Sequence, residues 1–351
     1  MRNAMVSMLT QFCWRSRLLY SLQRVAKEAQ LRRGKIGQWA FPYISKRRLP
    51  NFQILTFHRL TRQRDPFFPG LPVEVFARQV EFLAGNYTLV DLAELIRQLE
   101  RGKSIPKNAV VLTFDDGYRD NYELAFPVLR RYQIPATIFL TTAFVSEQDI
   151  LWNDKVCFAL KHTKCTEMTV NCDGERHFWL HTIEQRLAAA KEMLWYLFHI
   201  AHTHKLAFID QLLTQLDIHD FGELWESMLT WGQIRHMKQN GVNFGAHTVT
   251  HPVLSRLPLE QAREEVQRSK RDIEREIDGP VDLFAYPVGR PLDFNEDLKT
   301  LVRELGFKAA VTTVFGTNTA ETDRYALHRV GPDEEDLAVF ASKQCWYKFS
   351  M

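Results

Sequence analysis

The 351-residue chain has no Cys-x-x-Cys pair. Its five cysteines, Cys13, Cys157, Cys165, Cys172 and Cys345, are odd in number and scattered, so neither a disulfide framework nor a cysteine zinc site is indicated. Free thiols in a reducing compartment are the expectation. No apolar run approaches the roughly 20 residues that a membrane span needs. The nearest thing to an export signal, AMVSMLTQFCW at 4–14, is interrupted by Ser, Thr and Gln, and RSR follows where a small-residue cleavage site belongs. A cleaved signal is therefore not expected, and the location expected is cytoplasmic or peripheral on the cytoplasmic membrane. Acid is scarce at the start: residues 1–50 hold eleven Lys/Arg against Glu28 alone, leaving 34 Lys/Arg against 41 Asp/Glu beyond. The mildly acidic remainder argues against a nucleic-acid-binding core. The basic leader either lies on anionic lipid, with Leu18, Leu19, Leu22 and Val25 on one helical face, or is a solvated, partly disordered arm.

What is present is the material of a soluble globular protein, 45% hydrophobic and 25% charged. From residue 51, short apolar runs alternate with amphipathic stretches. QILTFH (53–58), AVVLTF (109–114), ATIFLTT (136–142), GVNFGA, DLFAYP and FKAAVTT read as strands. Helices are expected at 73–86, at 91–102 behind an Asp91 cap, and at 121–133, 230–240, 259–277 and 295–305. Alternating β and α elements imply parallel strands with crossover helices, and six or seven such units favour a closed or nearly closed barrel. The fold class expected is thus α/β, a (β/α) barrel over residues 51–340. An inserted helical subdomain at about 150–229 interrupts it, with a hairpin around NCDGERHFWL, and 341–351 form a tail.

Four motifs fall at the carboxyl ends of these strands, where β/α folds gather catalytic groups. Asp115 and Asp116 follow VVLTF, and Gly117 permits a tight turn after them. His247 and His251 lie in GAHTVTHP, where Pro252 disfavours a helix and makes the segment a loop. His58 ends ILTF, and Tyr286 and Pro287 end DLFA. Taken singly, Asp-Asp-Gly is more often a turn, and His58 a satisfied strand-end histidine. Together, two imidazoles and one carboxylate are a common ligand set for a divalent metal with open positions. The second carboxylate is then free to take a proton from attacking water, which describes hydrolysis of an amide or ester.

TFDDGYRDNY, GAHTVTHPVL and FAYPVG resemble the first three motifs of the polysaccharide deacetylases, the NodB-homology carbohydrate esterases, over about residues 51–333. The resemblance implies a deformed barrel of that type and metal-dependent removal of N-acetyl groups from amino sugars of a bacterial-type polysaccharide or its lipid-linked precursor. It implies a divalent ion, usually zinc. Carried over, Asp115 is the base, and Asp116, His247 and His251 hold the metal. Thr248 is expected to hydrogen-bond near it.

The chain departs from that pattern twice. Ala285 and Val288 in FAYPVG stand where the family commonly has Arg and Tyr, and Arg290 is the nearest substitute. The Leu-x-x-His motif that supplies the general acid comes first, as Leu55-Thr56-Phe57-His58, resembling the circularly permuted members of exopolysaccharide type. His328 in YALHRV is the rival, and His58 is favoured because it ends a clear strand. Trp152 and Asp154 in LWNDK are expected at the substrate, as a wall for a sugar face and a contact to a hydroxyl or to His58, with Tyr286 and Pro287 also substrate-binding. A buried tryptophan with a capping aspartate is the plainer alternative for the first pair. Two other functions compete: a deformylase or other N-acyl hydrolase of a lipid-linked amino sugar, and an inactive glycan-binding homologue.

Overall fold

The computed structural model describes residues 50–145 and 149–349, so the basic leader and its lipid-facing stripe lie outside the described residues. The strands are β1 (Asn51–Phe57), β2 (Leu60–Thr61), β3 (Leu71–Pro72), β4 (Thr88–Leu89), β5 (Ala109–Phe114), β6 (Ala136–Leu140), β7 (Glu167–Asn171) and β8 (Glu175–Trp179). They continue as β9 (Val242–Ala246), β10 (Leu283–Ala285), β11 (Ala309–Phe315), β12 (Asn318–Thr319) and β13 (Leu327–Arg329). The main sheet runs β12-β1-β5-β6-β9-β10-β11-β13, with β4 added to β5. Every pairing along it is parallel except β1 with β12. Val330 closes the ring: its N–H donates to Ile54 O at 2.9 Å, and its carbonyl accepts from Thr56 N at 3.0 Å. Parallel strands put all their carboxyl ends on one rim.

Strand periodicity divides the core into two layers. Phe52, Ile54, Ala109, Val111, Phe139, Leu283, Ala285, Val311 and Leu327 fill the barrel, plugged from one end by Leu92, Leu95 and Ile96 of the helix Leu92–Glu100. Leu55, Val110, Leu112, Phe114, Ile138, Leu140 and Phe244 face the surrounding helices. Strand β5, buried at all six positions, reads as a continuous apolar run because both of its faces are covered. The helix Leu259–Ile277 shows the complementary pattern. Ala262, Val266, Ser269, Ile273 and Ile277 form one buried stripe, and Asp278 ends the helix in left-handed geometry at φ 47°.

The insertion packs its own apolar cluster, including Val156, Leu160, Met193, Leu197, Ile209 and Leu212. It comprises the helices Trp152–His162, Ile183–His199 and His202–Gln215 with the β7–β8 hairpin. In WYLFH (195–199), Leu197 is buried but Trp195 is exposed. The helix Leu337–Phe349 crosses the expected tail boundary: Phe340 is buried, and Gln53 donates to Gln344 O. Strand β13 was not anticipated, since a three-residue strand of Leu, His and Arg carries no alternation long enough to read. Among the described residues no helix is long and apolar enough to cross a membrane.

Gly245 marks the tightest inward contact of β9. A Cβ there would sit 2.5 Å from two Phe139 ring carbons and 2.9 Å from Leu283 O. Gly245→Ala is expected to destabilise the fold by about 1–3 kcal/mol through overpacking. The measurement is a lower urea midpoint at unchanged m-value; an unchanged midpoint would show that Phe139 moves aside freely.

Candidate active site

Adjacent strand residues point to opposite faces, so two neighbouring aspartates on β5 could not share a site if the strand continued. It does not continue. Asp116 turns into the left-handed region at φ 73° and Gly117 follows at φ 86°, the Gly117 N–H closing a tight turn onto Asp115 O at 2.9 Å. A left-handed non-glycine residue costs roughly 1–2 kcal/mol, and this one re-aims the second carboxylate to the rim.

Asp115 is fixed by a residue that was not foreseen. Arg329, at the end of β13, donates from Nη1 to Asp115 Oδ1 and from Nη2 to Oδ2, both at 2.7 Å. Its Nε donates to Thr312 O at 2.7 Å and its side chain is fully buried. Burial alone would push the Asp115 carboxyl up; the Arg329 charge and hydrogen bonds outweigh it and hold the group well below the usual carboxylate range. The pair therefore stabilises the fold fully above about pH 4, the ordinary carboxylate value, and that contribution is lost only as pH falls through the lower folded value.

Asp116 faces the two histidines. Its Oδ1 lies 3.6 Å from His247 Nε2 and 3.5 Å from His251 Nε2. His247 Nδ1 donates to Ala285 O at 2.8 Å, which leaves the Nε2 lone pair directed at this cluster. Burial lowers His251 well below the usual imidazole value, keeping it neutral, and raises Asp116. His251 stands at φ 58° and Thr248 at φ 69°, and the Thr248 hydroxyl accepts from His251 N at 3.1 Å. His58 also borders Asp115, its Nε2 3.8 Å from Asp115 Oδ2 and its side chain half exposed.

The fold is shared with solved structures. The Streptococcus pyogenes deacetylase PplD, solved in complex with acetate, superposes with a TM-score of 0.54 at 21% identity, covering 81% of this chain and 93% of that one. The family model described as polysaccharide deacetylase matches residues 102–310. The chain belongs to the polysaccharide deacetylase family. Among curated members, YxkH of Bacillus subtilis is 24% identical over 261 residues, 74% of this chain and 64% of that protein. The poly-beta-1,6-N-acetyl-D-glucosamine N-deacetylase of Staphylococcus epidermidis is 44% identical over 103 residues, 25% of this chain and 35% of that protein. The chain thus spans less than two-thirds of either relative's length.

Within this deacetylase frame, three carboxylate and imidazole groups fit a divalent ion. Asp116, His247 and His251 bring one ligand atom each to within 4.8 Å of one another, and Asp116 Oδ1 is buried without a hydrogen-bond partner. Two neutral imidazole nitrogens and a carboxylate oxygen are the donor set of an open divalent site. The arginine expected near residue 285 comes instead from residue 329. Ala285 faces the inner layer, where Arg329 approaches Asp115 from two strands away. Arg290, the substitute expected from sequence, lies 5.7 Å over the Phe198 ring. His328 alternates away from Arg329 on β13, and its backbone is bound by Asn318.

Four substrate-binding expectations meet a different placement. Tyr286 is fully buried in the outer layer, its hydroxyl donating to Tyr325 O at 3.1 Å and its ring stacked on Phe294, because β10 turns that position away from the barrel interior. Pro287 is also buried, its carbonyl accepting from Gly289 N at 2.7 Å. Trp152 is 5% exposed, so it is no open wall; Phe198 meets its ring edge-on at 4.9 Å. Asp154 faces Arg59 at 4.0 Å rather than His58, and burial pushes it up to about 6.

Two supports had no separable signal in the sequence. Asn121 Nδ2 donates to His58 O at 2.8 Å, and Asp120 Oδ1 accepts from Leu60 N at 3.0 Å, clamping the segment that carries His58. The π-type turn Asn121–Ala125 sets Asn121 in place: Pro127 lacks an N–H for a helical bond, and Phe126 N reaches back to Asn121 O. Glu265, on the helix Leu259–Ile277, accepts from Val249 N, Thr250 N and Thr250 Oγ1 at 2.8–2.9 Å, bracing the loop between the two histidines.

Arg329→Met leaves Asp115 buried without its counter-charge, and is expected to cost about 3–5 kcal/mol of stability. Arg329→Lys keeps the charge and loses the fork, so its loss should be smaller. Thermal melts of both variants check this; equal stability of Arg329→Met and wild type would contradict it.

Proposed function

We propose that the chain hydrolyses N-acetyl groups of amino sugars in a polysaccharide, using a divalent ion, zinc in the first instance, held by Asp116, His247 and His251. The observation that supports this most strongly is the division of labour between two adjacent carboxylates. Asp115 is committed to Arg329 at 2.7 Å, while Asp116 faces two imidazole nitrogens. The ion supplies Lewis acidity, acidifying water and withdrawing charge from the acyl oxygen. Asp115, ionised through the working range, accepts the proton of the attacking water while Arg329 keeps the carboxylate oriented. As the C–N bond breaks, His58 Nε2 gives a proton to the departing nitrogen, leaving a free amine and acetate. Half-exposed His58 stands where it can exchange that proton with solvent. Of the two reasons to suspect an inactive glycan binder, Ala285 and Val288 in place of Arg and Tyr, the first loses force because Arg329 contacts Asp115.

The test is metal analysis of purified protein coupled to acetate release from N-acetylglucosamine oligomers, with lipid-linked and N-formyl sugars in the same panel. Chelation should abolish turnover and added metal restore it. Asp115→Asn is expected to keep the metal and lose about 10²–10⁴-fold in turnover. His247→Ala should lose both metal and turnover. Intact turnover in Asp115→Asn would remove the base assignment, and release of formate in place of acetate would change the acyl group.

A further inference from the structure

Lys205 is the least compensated charge beside this rim. It lies in the first turn of the helix His202–Gln215, 2% exposed. Among the described residues no carboxylate, carbonyl or hydroxyl accepts from its Nζ, which lies 4.3 Å over the centre of the Trp152 ring. The stem is buried, but the Nζ is not among the buried polar atoms left without a partner, so the ammonium keeps access to solvent beside the rim and is open to a ligand. Burial and the nearby Arg256 charge together bring Lys205 down to about 8. Its own charge reaches His251, where it acts to lower the imidazole's proton affinity.

Two more cations continue from Lys205 with little acid to balance them. Arg256 has Asp293 at 4.0 Å, and its Nη1 is buried without a hydrogen bond. Arg290 rests on Phe198, which itself meets Trp152, and only its backbone N–H engages Asp293. Of these three positive side chains only Arg256 has a carboxylate beside it, Asp293. The aromatic pair beneath them belongs to the insertion, and the two arginines to loops of the barrel.

We propose that Lys205, Arg256 and Arg290 form a subsite for an anionic group, a phosphate or a carboxylate, carried by the glycan beside the acetylated sugar. The proposal rests on the deacetylase reading above and narrows its substrate to an acidic glycan. The inserted subdomain, on this view, delivers one of the selecting charges, Lys205, while the barrel delivers the two arginines and the hydrolytic groups. An anion would give Lys205 the acceptor it lacks, and the planar arginines a forked partner.

The experiment uses the full chain loaded with metal and three N-acetylglucosamine oligomers of equal length: neutral, uronate-bearing and phosphate-bearing. Acetate release gives kcat/KM, and calorimetry gives binding whether or not turnover occurs. Wild type should favour at least one acidic oligomer over the neutral one by about 10–100-fold, the equivalent of one or two charge-assisted hydrogen bonds. Lys205→Met should bring that ratio close to one, Lys205→Arg should retain most of it, and added salt should erode it in wild type. The two acidic arms distinguish carboxylate from phosphate as the recognised group. A ratio near one in wild type, or an unchanged ratio in a folded Lys205→Met, overturns the subsite. If Lys205→Met does not fold, the salt dependence of wild type decides: no salt effect on the acidic oligomers overturns it. Failure of the deacetylase reading looks different, as selective binding of an acidic oligomer with no acetate released from any.

Discussion

The buried fork between Arg329 and Asp115 is the interaction on which the site depends. A carboxylate this deep would by itself take up a proton and become useless as an acceptor. The guanidinium prevents that, and because it binds both oxygens it also fixes the plane of the carboxyl group. Such a pair adds little net stability over a well-packed apolar replacement, since desolvating both ions offsets their attraction. Its worth lies in where it puts a negative charge. With Asp115 committed to an internal cation, the neighbouring Asp116 has no such partner and is left to the two imidazoles.

Much of this was readable in the chain, for definite reasons. The run AVVLTF followed by Asp-Asp-Gly announces a buried parallel strand ending in a turn, and the structure has β5 and its turn there. The Asp91 cap, with its side chain accepting from Glu94 N at 2.8 Å, and the stripe of the helix Leu259–Ile277 were equally legible, because caps and helical periodicity are local properties. Arg329 was not. A single arginine in a short polar strand looks like any surface arginine until ring closure puts it beside Asp115, 214 positions away in sequence. The placement of Tyr286 in the outer layer was not readable for a related reason. A strand-end aromatic can face either layer, and only the register of β10 against β11 decides which.

The site is assembled by supports rather than by its reacting groups alone. Asn121 and Asp120 grip the His58 segment, Glu265 ties down the loop between His247 and His251, and Ala285 O fixes the tautomer of His247. Asp116, Thr248 and His251 all hold left-handed backbone geometry, which persists only where surrounding bonds over-determine it. The cost of that geometry is met by the barrel, whose continuous parallel ring gives each of these loops a rigid base.

The order in which the chain leaves the ribosome has a consequence for β13. Both aspartates and both histidines are synthesised well before residue 329, yet the charge that balances Asp115 sits on the ring's closing strand. A nascent chain halted before that point would carry every reacting group of the rim around an unneutralised acid, in a sheet whose ring is not yet closed. Readiness for chemistry and completion of the barrel therefore arrive in the same event.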